Sequence, residues 1–156
     1  MEEFDFIGPN DEPALLAVTT PEALAACKTT LVEMGYKVHV VETHPQFETR
    51  YNQVNYHVVI IEENFAGGSI LENPSLQMVQ SLSMSQRRYA VFFLIGETFE
   101  SLNTLQAFAQ SVHCVLNFAE LPMLKEVVQK TIAENDLFLS TFREAQRRVY
   151  QKGGAS

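Results

Sequence analysis

The sequence predicts a doubly wound α/β domain, a five-stranded parallel sheet with helices on both faces. Three observations carry that prediction. Strand-length apolar runs alternate five times with segments of helical period. Two of those runs, HVVII at 57–61 and AVFFLI at 90–95, are continuously apolar, as strands covered on both faces must be. Two of the intervening segments open on cap-plus-proline signals, Thr20-Pro21 and Asn73-Pro74, which end strands and start helices. Alternation of this kind requires right-handed crossovers and places any binding site at the carboxyl ends of the strands.

The elements follow in order. Residues 14–18 (ALLAV) form the first strand. Thr20 caps a helix with Pro21 in its first turn; Leu24, Cys27, Leu31 and Met34 recur at helical spacing, and Gly35 ends it. Residues 37–42 (KVHVVE) alternate in part, as suits a strand near the sheet edge. A polar, weakly signalled helix covers 44–52, and the third strand is 57–61. A loop runs over 62–72, where Phe65, Ile70 and Leu71 either fold back onto the domain or wait for a partner. Gly67 and Gly68 there supply a left-handed turn. Asn73-Pro74 starts a helix to about Arg87. After the fourth strand, a helix over 99–111 turns Leu102, Leu105, Phe108 and Ala109 inward. Residues 112–118 are the fifth strand, and Pro122 opens the last helix, with Leu124, Val127, Val128 and Ile132 on one face.

Composition narrows the function. At 156 residues the chain is one ordinary domain, able to bury roughly 70% of its unfolded surface without disulfides or metal. Eleven Lys+Arg against 19 Asp+Glu give a net charge of −8, a poor basis for holding nucleic acid or an anionic membrane. No apolar run is long enough to span a bilayer, no signal peptide is visible, and a cytoplasmic location is expected. Cys27 and Cys114 lie far apart with no CxxC, so neither a disulfide framework nor a zinc site is read from them. The four histidines form no HxH or HExxH pair. No phosphate-binding glycine loop or GxSxG elbow is present. No cofactor, metal or catalytic residue is therefore assigned. The expected division is a flexible acidic lead-in over 1–12, the α/β domain over 13–133, a helical extension over 134–151 and a disordered tail over 152–156.

The element order, the element lengths and the run HVVIIE resemble the receiver domain of bacterial response regulators over about residues 13–133. That resemblance implies a flavodoxin-like topology with strand order 2-1-3-4-5. It puts Glu62 where such domains carry the phospho-accepting Asp, Thr19 and Thr20 where they carry an acidic pair, Ile95 or Gly96 where they carry a Ser or Thr, and Phe118 where they carry a Lys. The stretches EENFAGGS, NPSLQMVQSLSMSQRR, LIGETF and AFAQSV resemble, more specifically, a group of receiver-like domains that often follow an N-terminal zinc ribbon. Such a ribbon, whose cysteines are absent here, would make this chain a fragment.

The strand-end rim then comprises Thr19, Thr20, Glu62, Glu63, Asn64, Gly96, Glu97, Asn117 and Phe118, with no Lys or Arg. Phosphoryl transfer needs an Asp nucleophile, a carboxylate-held Mg²⁺ and a cation to meet developing charge. The resemblance thus implies a pseudo-receiver that takes no phosphate, a protein-interaction or signalling module rather than an enzyme. Its alternative is an atypical receiver, or a small-ligand or cation sensor at the rim around Glu62. Glu62 and Glu63 themselves read either as solvated loop carboxylates or, for Glu62, as a fixed imitation of the charged state.

The extension has its own pattern. Leu124, Val128, Thr131, Asn135, Phe138, Phe142, Ala145 and Val149 are spaced 4,3,4,3,4,3,4, a heptad-like seam. Two readings stand: one long helix that projects and pairs with another copy through Phe138, Phe142, Ala145 and Val149, or a new helix capped by Asn135-Asp136 that folds back. A homodimer is the expected partner state; no other protein partner is identified.

Overall fold

The computed structural model describes residues 11–87 and 90–154, with side chains as far as Val149. The first ten residues of the expected lead-in and the last two of the expected tail lie outside the described residues. Five strands form one parallel sheet: β1 (Glu12–Ala17), β2 (Tyr36–Val40), β3 (Val58–Glu62), β4 (Val91–Gly96) and β5 (Cys114–Asn117). Their order is β2-β1-β3-β4-β5, as the sequence predicts. The register sets Ala17 beside Ile61, Glu62 beside Ile95 and Gly96 beside Asn117, so β1, β3, β4 and the edge strand β5 end together at one edge.

Alternate residues of each strand serve opposite faces. Leu16, Ile60, Phe93 and Leu116 pack against Cys27 and Leu31 of α1 (Pro21–Glu33) and Leu124 and Val128 of α5 (Leu124–Gly154). Leu15, Val59, Phe92 and Val115 pack against Phe47 and Tyr51 of α2 (His44–Gln53), Leu76 and Val79 of α3 (Pro74–Ser81), and Ala107 of α4 (Thr104–Ala109). Each such side chain, fully buried, contributes about 1.5–3 kcal/mol.

Three helices differ from the sequence expectation. α3 stops at Ser81; Leu82 is extended at ψ 137°, and one further turn covers Met84–Arg87. Ser81 Oγ donates to the Met78 carbonyl and Ser83 Oγ accepts from Gln86 N, hydroxyl contacts that replace a continuous ladder. α4 is six residues long, capped by Asn103 rather than opened at Phe99, and its apolar face is reversed. Ala107 faces the sheet, whereas Leu105 and Phe108 are about four-fifths exposed and Leu102 and Ala109 are also outside. Leu102 takes φ +64°, so no helix passes through it. α5 continues unbroken through Asn135-Asp136, and no fold-back occurs. At 1.5 Å per residue its 31 residues span roughly 46 Å, so its distal half leaves the body.

Candidate functional site

The carboxyl edge of the sheet gathers the predicted rim, but its carboxylates are not solvated. β3 runs one residue further than expected and carries Glu62 on the strand, 2% exposed. Glu62 Oε1 accepts from Thr19 N at 2.8 Å and Thr20 N at 2.9 Å, and Oε2 accepts from Thr20 Oγ1 at 2.7 Å. The longer Glu side chain thus reaches across to the β1–α1 loop, where Thr20 precedes Pro21 at the head of α1. Among the neighbours of this carboxylate is Cys27, whose thiol is pushed up to about 12, first by burial and then by the Glu62 charge.

Glu63 does the same on the other side. It is 7% exposed and accepts from Glu97 N at 3.0 Å, from Thr98 N at 3.4 Å and from Thr98 Oγ1. Its side chain lies against Gly96, where a Cβ would stand 2.5 Å from Oε1. Gly96 is thus fixed by close approach. The expectation of solvated loop carboxylates is corrected on both residues: each lies under a neighbouring loop and accepts that loop's hydrogen bonds.

The remaining rim residues brace the same loops. Thr19 Oγ1 accepts from Ala66 N at 2.8 Å, while the exposed Asn64 uses its carbonyl to close the turn to Gly67 at 3.0 Å. Asn117 Nδ2 donates to the Glu97 and Phe99 carbonyls at 3.1 and 2.9 Å, and its Oδ1 accepts from Ala119 N. Glu97 points its carboxylate outward. Phe118 leaves the rim and packs against the α1/α5 core. In the loop after β3, Phe65 is fully buried, Ile70 packs against the core and Leu71 is exposed. Of the two glycines, Gly67 takes a positive φ of +82°; Gly68 has an extended backbone whose Cβ would meet the Glu72 carbonyl.

Three contributors escaped the sequence reading. Asn73, fully buried, caps α3 through Leu76 N and donates through Nδ2 to the Glu62 and Glu63 carbonyls. Ser101 Oγ accepts from Asn117 N, and Thr98 holds Glu63. An Asn-Pro cap signal was visible at Asn73; nothing in the sequence linked Thr98 to Glu63, 35 residues away. Among the described residues no group of three His, Cys, Asp or Glu is placed to hold a metal ion, and no helix is long and apolar enough to cross a membrane.

No protein-family model and no curated protein matches the chain. Solved structures do. A response-regulator candidate of Chloroflexus aurantiacus superposes with a TM-score of 0.64 at 11% identity, over 80% of this chain and 99% of that one. The chemotaxis response regulator CheY4 of Vibrio cholerae gives 0.62 at 14%, over 78% and 99%. An orphan response regulator of H. pylori gives 0.59 at 15%, over 78% and 96%. At such identities the likeness establishes the fold alone, a receiver-like sheet and helices.

Proposed function

We propose that the chain is a non-catalytic pseudo-receiver, a protein-interaction or signalling module that is not phosphorylated by the usual Asp mechanism. One observation carries the reading. Both carboxylates at the end of β3 are committed to neighbouring loops, Glu62 to Thr19 and Thr20 and Glu63 to Glu97 and Thr98. A nucleophile needs a free lone pair facing a phosphodonor, and a magnesium site needs carboxylate oxygens facing solvent. A rim already stitched by hydrogen bonds favours one conformation of its loops rather than an exchange between two. Intact mass after incubation with acetyl phosphate and Mg²⁺ tests this: no phosphoryl adduct is expected, and an adduct on Glu62 or Glu63 overturns the reading.

Interaction then falls to surfaces, first among them the last helix. Phe138, Phe142 and Val149 are 58%, 44% and 70% exposed along one seam, a costly display unless another apolar face covers it. The proposed state is a homodimer through this helix. Light scattering of the full chain beside Phe142→Glu is expected to give a dimer and a monomer of unchanged fold. A monomeric full chain at all accessible concentrations refutes it.

A further inference from the structure

A groove of about 700 Å³ opens beside α5, bounded by Leu82, Met84, Phe108, Val112, Phe138 and Leu139. It continues along the edge strand β5 between α4 and α5, where Thr131, Glu134 and His113 line both stretches. The reversed apolar face of α4 contributes its exposed Phe108 to the rim of this groove. The lining residues of the two cavities on α5 run from Leu139 back to Lys130, so a helix laid alongside α5 would cover both.

We infer that a second copy of this chain fills the groove with the distal half of its own α5, the two helices antiparallel in one defined register. The inference rests on the proposed self-association through α5 and adds its direction, its register and its receiving surface. In heptad terms, with a→d three residues and d→a four, Asn135, Phe142 and Val149 are a positions and Thr131, Phe138 and Ala145 are d positions. Antiparallel helices pair a with d. One register pairs the layers beyond the body: Phe138 against Phe142 of the second copy and the reverse, and Asn135 against Ala145, while Thr131, buried by its own domain, lies at the inner end where the same register brings Val149. It brings the flanking Leu139 side chains together. It also sets Glu134 against Arg148 of the second copy, twice by symmetry.

The pairing of charges favours this direction over a parallel pair. Parallel helices set each g position against the next e position of the partner. Glu134 would then face Leu139, and Arg148 would face Gly153, so neither charge is matched. The charge distribution agrees. Arg143, Arg147, Arg148 and Lys152 stand against one Glu144 in the distal half, while the chain as a whole carries −8, so the distal half is attracted to the body of another copy. Within one chain Arg148 pairs with Glu144 at 2.7 Å and Glu134 with Lys130 at 3.9 Å, exposed contacts that cost little to exchange.

Charge exchange on the full chain tests the register. Glu134→Arg alone sets Arg against Arg at both symmetric positions, and Arg148→Glu alone sets Glu against Glu. Each single variant should weaken the dimer by about tenfold or more, as two modest attractions become repulsions. An equimolar mixture of the two variants restores both opposite-charge contacts in the heterodimer, and should recover the wild-type dissociation constant by sedimentation velocity. Both sites are exposed, so folding is not at stake. If the wild type dimerises and the mixture is no tighter than the single variants, the antiparallel register is wrong while self-association stands. If the wild type is monomeric, both fail. The mixing readout separates a paired register from a merely weakened surface, because no single substitution mimics it.

Discussion

Gly96 and Glu63 should behave as one structural element. A Cβ at residue 96 would lie 2.5 Å from Glu63 Oε1 and 2.6 Å from Cγ, where ordinary contact begins at 3.4 Å. The backbone at Gly96 is not in the left-handed region, so alanine is permitted there once the side chain of Glu63 is out of the way. Gly96→Ala therefore expels Glu63 and loses the contacts to Glu97 N, Thr98 N and Thr98 Oγ1. Hydrogen bonds to a charged acceptor contribute about 1.5–3 kcal/mol each. The loop over 97–98 is exposed and its amides regain water, so about 3 kcal/mol in total is a fair expectation for Glu63→Ala. Gly96→Ala should cost nearly the same, offset by about 0.5 kcal/mol from the stiffer unfolded chain. The double variant should match Glu63→Ala or exceed it slightly in stability, giving a coupling of about 3 kcal/mol. Urea unfolding reads this as a shifted midpoint at constant slope. In heat the single variants should melt about 6–12 °C lower. Additive losses in the double variant would refute the argument, since Gly96 would then be required by the backbone and not by Glu63. A wild-type background indifferent to Gly96→Ala would refute it equally.

Three further outcomes follow from the same contacts. Thr20→Val removes the hydroxyl that donates to Glu62 Oε2 at 2.7 Å while keeping the shape, and should cost about 1–2 kcal/mol in urea unfolding, a loss that shrinks in a Glu62→Ala background. His113, half-buried with Nδ1 accepting from Phe92 N at 2.9 Å, has its pKa pushed down to about 4, first by burial and then by Arg87. The unfolded chain takes up that proton first, so the contribution is complete above about pH 6.5 and is lost as pH falls towards 4; stability should drop by about 2 kcal/mol more across that window than in His113→Gln. Cys27, fully buried with its thiol pushed up to about 12, and Cys114, raised by burial, should resist a thiol reagent at pH 8 in the folded protein and react at once in denaturant.

The sequence carried the sheet because its signals are local and redundant. Short continuous apolar runs such as HVVII and AVFFLI, bounded by helix-start signals, have the length and composition of covered strands, and the Thr-Pro and Asn-Pro pairs mark helix starts. It misread α4 for the opposite reason. Leu102, Leu105 and Phe108 have helical spacing, and spacing says that residues share a face without saying which way the face points. Asn103 starts the helix late, Leu102 takes a positive φ, and the small Ala107 turns to the sheet. The structure gathers the expected rim residues other than Phe118 at the carboxyl edge of the sheet, and it buries the two carboxylates expected to be solvated. A Glu-Glu pair after a strand looks solvated, and its burial depends on Thr20 and Thr98, 42 and 35 residues away from their carboxylates.

That misjudgement bears on how a receiver-like fold can operate with these residues. Each carboxylate at the end of β3 draws in one loop: Glu62 the loop that leads into α1, Glu63 the loop after β4. Asn73 holds the backbone of both glutamates from the start of α3, and Asn117 braces the β4 loop from β5. The strand ends are thus connected from β1 to β5 by hydrogen bonds between protein groups. A rim that needs an added group to close it can be switched by that group, since the two states differ in affinity for it. Under the proposed reading, a rim closed by its own side chains would offer such a group little differential affinity. Of the exposed large apolar side chains, Leu105 and Phe108 of α4 and Leu137, Phe138, Phe142 and Val149 of α5 form the largest group, at the far side of β5, and the proposed interaction module would bind there.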